Sequence, residues 1–319
     1  RFSASESLLA AGVRSLAAAP LLDEEQPLGM IAVGSRVAVR AFSEEDLELL
    51  VSLASVASLR LRNVKLAEEA AQRKVLEKEI ALARRIQIAL LPAQLPDLPG
   101  WSLHAGTKPS RTVSGDYYQL LLRGEDGEEC VIVVADVSGK GVAASLLTAS
   151  IEALTAGPIE DGRPPREICD RVARLVHRRT PPEKYATAFV AALEPETGVL
   201  RYVNAGHNPP FLVRRDGEVE LLRATGTPLG LIPDVSYGQE ERRLEDGDLL
   251  VAYTDGAIEV VDPDDEEFGE ERLKALCREN RQVDPESLAR TIEDALREFS
   301  RGTPLPDDLT LVMARRDSR

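Results

Sequence analysis

Asp116 in SGDYY, Asp136 in VVADVSG, Asp255 in LLVAYTDG and the pair Asp307 and Asp308 in PDDLTLV each stand at or beside the end of an apolar run. Aspartate favours turns in its own right, so any one of these alone carries little. Coming from distant parts of the chain, each beside glycine or at a strand edge, they read together as acids gathered at one end of a sheet. Mutual repulsion there is tolerable only with cations present. All-oxygen ligands select hard ions, Mg2+ or Mn2+, over zinc.

The stretch VVADVSGKGVAAS poses a choice between a glycine turn that cradles phosphate and an acid that holds a metal. A P-loop needs two glycines five apart followed by Lys and Ser or Thr, whereas Lys140 is followed by Gly141. The reading therefore goes to the metal, with the glycines letting the chain turn tightly after Asp136. A tyrosine-phosphatase loop needs arginine six positions after its cysteine. Those positions hold Asp136, Leu175 and Val283, which excludes that chemistry. DPDDEEFGEE at 262–271 has Glu267 where a calcium loop needs glycine, and reads as a solvated loop. His207 in AGHNPP reads as a turn-stabilising residue rather than a base, and His104 and His177 are assigned no role.

The acids need a scaffold. From Trp101 onward the pattern is of short β runs, at 101–107, 130–136, 185–194, 199–204, 210–215, 248–254 and 309–314, with helices at 141–156, 165–179, 270–281 and 285–300. Two consecutive helices between strands, followed by hairpin-like strands, indicate an α+β fold with antiparallel sheets. Upstream, ASESLLAAGV reads as a helical start, and SLAAAPLL and LGMIAVGS as strands around DEEQP. Ser43 caps a helix, with Asp46 at capping-box spacing, and no proline or glycine follows until after Leu91, a length of about 70 Å. Leu47, Leu50, Ala54, Ala57, Leu61 and Val64 alternate steps of three and four, as the seam of a parallel dimer does, continuing through Ala71, Val75, Leu82 and Ala89. Packing of the first half on its own domain accounts for the pattern equally well.

The 319 residues suffice for about two or three domains. The net charge of −15 disfavours nucleic acid and anionic lipid as partners, and no apolar run reads as long enough to cross a membrane. Cys130, Cys169 and Cys277, odd in number and without a CxxC pair, point to a reducing cytoplasm rather than a disulfide framework. The chain begins at Arg1 without methionine, as a piece of a longer protein does.

In this order, SRTVSGDYY, ADVSGKG, NAGHNPP, YTDGAIE, FGEERL and DDLTLV resemble the metal-dependent (PPM, type-2C) serine/threonine phosphatases, in the bacterial branch that regulates sigma factors. The resemblance covers residues 85–315. It implies an αββα sandwich of two antiparallel sheets with two Mn2+ or Mg2+ ions at one edge. It assigns Asp116, Asp136, Asp255 and Asp307 as ligands, with the Val137 carbonyl, and Asp308 to a supporting place. Arg111 matches the phosphate-binding arginine, and Gln119 stands where the family usually has a further acid. The chemistry implied is attack of metal-activated water on phosphoserine or phosphothreonine, the partner a phosphorylated anti-anti-sigma-type protein.

Residues 1–62 are similar to the C-terminal half of a GAF sensor domain. The expected organisation is therefore a partial sensor at 1–62, a coiled-coil linker helix at 63–91 that forms a homodimer, and a phosphatase domain at 92–319. Through such a helix a sensor state could reach the site. A noncatalytic scaffold or sensor that binds a partner through the same fold is the alternative, and retention of the four acids and Arg111 argues against it.

Overall fold

The computed structural model describes residues 13–23, 26–36, 41–110, 113–124 and 127–317. Of the helical start expected at 4–13, only Val13 lies among them. The chain divides into two compact units, Arg1–Glu79 and Ile80–Arg319.

In the first unit, β1 (Ser15–Asp23) and β2 (Gln26–Ser35) form the expected antiparallel hairpin. Helix α1 (Glu44–Leu90) follows, and its last turns belong to the second unit. It starts at a capping box closed by aspartate: the Ser43 N–H and hydroxyl each donate to Asp46 Oδ2 at 2.8 Å, and the Asp46 N–H donates to Ser43 Oγ at 3.2 Å. Leu50 and Ala54 are buried against Ala17 and Ala19 of β1. Ser58 ties the layers by accepting the Leu22 N–H at 3.0 Å while its hydroxyl donates to the Ala54 carbonyl. Leu47, Leu61, Val64, Val75 and Leu82, also on the expected seam, are exposed.

The second unit is built on two five-stranded antiparallel sheets. The first has the order β10 (Glu240–Arg243), β7 (Val199–Ala205), β6 (Ala186–Leu193), β5 (Glu129–Val137), β4 (Asp116–Arg123). The second runs β3 (Trp101–Lys108), β12 (Leu309–Arg316), β11 (Leu249–Tyr253), β8 (Phe211–Val213), β9 (Val219–Leu221). Helices α2 (Val142–Glu160) and α3 (Pro165–Arg179) cover the first sheet, and α4 (Gly269–Glu279) and α5 (Pro285–Phe299) the second. The result is the expected αββα sandwich.

Strand β5 shows why. Successive side chains point to opposite faces. Val131, Val133, Ala135 and Val137 pack under α2 and α3, while Cys130, Ile132 and Val134 meet Leu250, Ala252, Val312 and Ala314 from the other sheet. Buried on both faces, the strand reads as an unbroken apolar run rather than an alternation.

Strands β4, β9 and β10 were not among the expected runs. The two short ones are three and four residues long and carry charge. DYYQLLLR of β4 is the costlier omission, because it begins at Asp116. Helix α2 is, by length and composition, apolar enough to cross a membrane, contrary to the reading that no such run exists. Its Ala144, Leu147, Ile151 and Ile159 lie in the core beneath the first sheet, while Val142 and Leu146 are exposed.

Ile132 is fully buried between the sheets, whereas Leu122 on β4 is 36% exposed. Ile132→Ala is expected to lower the unfolding free energy by about 2–5 kcal/mol in urea titration, and Leu122→Ala by less than about 1 kcal/mol. Equal losses would contradict the two-sided burial of β5.

Candidate active site

Two antiparallel pairings bring the acids together. Asp116, the first residue of β4, lies directly opposite Asp136 near the end of β5. In the second sheet Tyr253 of β11 pairs with Leu311 of β12, so Asp255, just after β11, and Asp307 and Asp308, just before β12, emerge at one end. The ends of the two sheets meet through Asp116. Its Oδ2 accepts hydrogen bonds from the Thr254 hydroxyl at 2.7 Å and the Thr310 hydroxyl at 2.6 Å, both from the opposite sheet.

Glycines make room for this convergence. A Cβ on Gly115 would lie 3.2 Å from the Val137 carbonyl oxygen and 3.5 Å from Asp136 Oδ1, so these groups crowd a position with no side chain. After Asp136 the chain turns through Gly139 and Gly141, at φ +89° and +85°, which side chains rarely adopt. The turn is held by the Ser138 N–H donating to the Tyr185 carbonyl at 2.9 Å and by the Lys184 ammonium on the Ser138 carbonyl at 3.2 Å.

Asp308 takes a supporting place. Its Oδ1 accepts from the Ser110 N–H at 2.7 Å and hydroxyl at 3.1 Å, and its Oδ2 from the Gly115 N–H at 2.9 Å. Asp307 instead meets Lys140, whose ammonium lies 2.7 Å from its Oδ2 and 3.0 Å from the Pro306 carbonyl.

The electrostatics follow from crowding. Burial pushes the Asp116 carboxyl well above its usual range, with the Asp136 charge adding to it. Asp136 is raised to about 7 by burial and then by Asp255, Asp307, Asp308 and Glu259. Asp255 is raised to about 6 by burial, then Asp307 and Glu259, against a smaller opposing pull from Lys140. Among the described residues no three such side chains already close on one point as a finished cation cage. The donor set nonetheless fits a hard divalent ion: it is all oxygen, it is destabilised by its own charge, and both threonine bonds to Asp116 fall on Oδ2, leaving Oδ1 over among the described residues. Lys140 already supplies one positive charge there.

Arg111 lies outside the described residues. His207 is buried, with Nδ1 2.9 Å from the Thr187 hydroxyl and its N–H on Asn204 Oδ1 at 2.8 Å. Burial lowers its pKa to about 4, so it is neutral and structural, in keeping with the turn-stabilising reading. Gln119 accepts the Tyr117 hydroxyl at 2.6 Å, on the β4 face that packs under α2. In the acid run at 262–271, Asp262 Oδ1 accepts the Asp264 and Glu266 N–H groups, closing a turn.

Sequence reasoning missed Thr254, Thr310, Lys140 and Glu259. The threonines were visible as the residue before the DG acid and the second after the DD pair, yet hydroxyls at strand edges are too common to single out.

Sheet order, helical covers and the acid-lined edge define a PP2C-type phosphatase domain. Residues 126–317 match the family model described as stage II sporulation protein E (SpoIIE), and residues 1–61 match that of the GAF domain. The chain belongs to the SpoIIE family, with a GAF segment at its N-terminal side. Phosphoserine phosphatase RsbU of Bacillus subtilis is 29% identical over 249 residues, covering 76% of this chain and 71% of that protein. Protein IcfG of Synechocystis is 29% identical over 266 residues, 75% of this chain; the chain spans only 42% of IcfG. Among solved structures, the RsbU and RsbW domains of Rv1364c from Mycobacterium tuberculosis superpose with a TM-score of 0.62 at 27% identity, over 72% of this chain and 64% of that one. The SiaA-PP2C domain of Pseudomonas aeruginosa gives 0.68 at 23% identity, over 78% of this chain and all of that one, and shares the fold.

Because Asp136 and Asp255 hold protons in the native state that the unfolded chain releases near pH 4, metal-free stability is expected to fall as pH rises from about 4 to about 7. Asp136→Asn removes one charge from the cluster and should flatten that fall, raising the melting temperature in chelator at pH 8. An Asp136→Asn melting temperature at or below wild type under those conditions would contradict the crowding.

Proposed function

We propose that this chain is a metal-dependent protein serine/threonine phosphatase that hydrolyses phosphoserine or phosphothreonine on a signalling protein of the anti-anti-sigma type. The observation that carries the reading is the Asp116–Asp136 cross-strand pair, faced by Asp255 and Asp307 from the second sheet. Asp116 is buried and Asp136, Asp255 and Asp307 are half-buried, and like charges at this density have no structural use that apolar residues would not serve better. The names of RsbU and RsbP of Bacillus subtilis, both phosphoserine phosphatases, support the substrate class.

In this reading Asp116, Asp136, Asp255, Asp307 and the Val137 carbonyl hold two Mn2+ or Mg2+ ions. Such ions lower the pKa of a bound water and neutralise charge on the phosphoryl oxygens. The protein's own part is to place the four carboxylates through the two sheets, to lock Asp116 with Thr254 and Thr310, and to tether the Asp136 turn. Arg111, five positions before Asp116, is proposed to bind the phosphate through its guanidinium fork. No cysteine is placed to act as nucleophile: Cys130, Cys169 and Cys277 are buried, and burial raises each thiol pKa.

The chain is further proposed to work in the cytoplasm as a homodimer through α1, whose exposed Leu47, Leu61, Val64, Val75 and Leu82 repeat at seam spacing. The unbroken helix is then the route by which the GAF segment governs the phosphatase.

The deciding experiment is hydrolysis of an aryl phosphate and a phosphoserine protein, with Mn2+ and with chelator, by the wild type, Asp136→Asn and Asp255→Asn. Mn2+-dependent turnover that drops about a hundredfold or more in both variants is expected, since each removes several kcal/mol of charge stabilisation. Turnover that survives chelator, or that either variant keeps, would overturn the metal-dependent reading. Separately, sedimentation of Leu61→Glu/Val64→Glu should show a monomer where the wild type is a dimer.

A further inference from the structure

The last turns of α1 reverse the usual arrangement of a surface helix. Ile86 and Ile88 are 58% and 52% exposed, while the polar Gln87 between them is 8% exposed. Burying an amide is costly unless its donors and acceptors are satisfied, and an apolar residue of that size would fill the same space more cheaply.

The Gln87 amide is engaged at both ends by one residue. Its Nε2 donates to the Ser114 carbonyl at 2.5 Å, and its Oε1 accepts the Ser114 N–H at 2.9 Å. The two bonds together determine both the position and the rotation of the peptide they grip. Ser114 in turn accepts the Asp116 N–H on its hydroxyl oxygen at 2.9 Å. The Gly115 N–H goes to Asp308, and the Gly115 carbonyl accepts from the Thr148 hydroxyl at 3.0 Å and the Val137 N–H at 3.3 Å. Every backbone polar group from Ser114 to the Asp116 N–H thus has a partner. The partners of Gly115 come from the sandwich itself; among the described residues, those of the Ser114 backbone come from Gln87.

We propose that Gln87 is a positioning residue for the metal site, holding the Ser114–Asp116 arm so that the Asp116 carboxylate meets the acids opposite it. The inference rests on the metal-dependent reading for its functional consequence, but the anchoring of the arm stands apart from it. A displacement of about 1 Å at a reacting centre costs on the order of a hundredfold, and loss of the grip frees the Ser114 peptide to move.

The test compares full-length wild type, Gln87→Leu, Gln87→Glu and Ile86→Ala. Gln87→Leu keeps the volume and removes both bonds. Gln87→Glu keeps the acceptor and loses the donor, and serves where the leucine variant does not fold. Ile86→Ala is the control for the same helical turn. Amide hydrogen exchange over residues 113–120, measured in chelator, is expected to quicken at least tenfold in both Gln87 variants and not in Ile86→Ala. Titration with Mn2+ alone, by calorimetry, is expected to show binding weakened tenfold or more, with turnover recovering at high Mn2+. Unchanged exchange, or Mn2+ binding within twofold of wild type, would overturn the proposal. If the wild type itself binds no Mn2+, the metal-dependent reading fails while the exchange data still decide whether Gln87 anchors the arm.

Discussion

The two hydrogen bonds from Thr254 and Thr310 to one oxygen of Asp116 are the contact on which the arrangement of the site depends. They cross from one sheet to the other at the edge of the sandwich, where the core gives way to polar groups. A buried carboxylate without them would be an unpaired acceptor between two layers, a penalty of several kcal/mol. With them it becomes a tie between the sheets. Asp116 is opposite Asp136 by strand register, so whatever holds it also sets the distance between the first two acids.

Around that tie the site is an exercise in managing like charge. Burial raises the carboxyls of Asp116, Asp136 and Asp255, and neighbouring charges add to it: Asp136 on Asp116, Asp255 and Asp307 on Asp136, and Asp307 and Glu259 on Asp255. Lys140 relieves part of this by pairing with Asp307. Asp308 adds its charge to the cluster, but its two oxygens are already committed to Ser110 and Gly115. Adjacent aspartates in one sequence motif therefore have different tasks: one faces the charge cluster, the other fastens the loop that carries Asp116. His207, neutral and wedged beside Thr187, contributes rigidity rather than charge.

The first unit follows a different economy. Its described part is one hairpin and a long helix sharing a small core of Ala17, Ala19, Leu50 and Ala54. Leu28, Met30 and Val33 of β2 are exposed, as are many apolar residues along α1. Ala17, Ala19 and Ala54 allow close approach at the helix–hairpin contact, with Leu50 filling the space between and Leu21, Ile31 and Phe42 at its edge. Within the heptad-like pattern Leu50 and Ala54 serve the hairpin, while Leu47, Leu61, Val64, Val75 and Leu82 are exposed.

Much of this was legible in the residues. The acids, their order, the helices α3 and α5 and the core strands could be read because each depends on local signals: an apolar run, a capping residue, a proline at the first turn. Strand β4 was not read, since YYQLLL, although bounded by glycines, carries no alternation of its own, and it is a strand because β5 pairs with it. Gln87 was invisible for the same reason, as its partner lies 27 residues away. By itself the sequence determined which side chains are available and what ion chemistry they suit. Only the tertiary structure decided that Asp116 sits opposite Asp136, that threonines of the other sheet hold it, and that Asp307 and Asp308 part company. Those facts are pairings between distant segments, and register and sheet packing arise from the whole core rather than from any stretch within it.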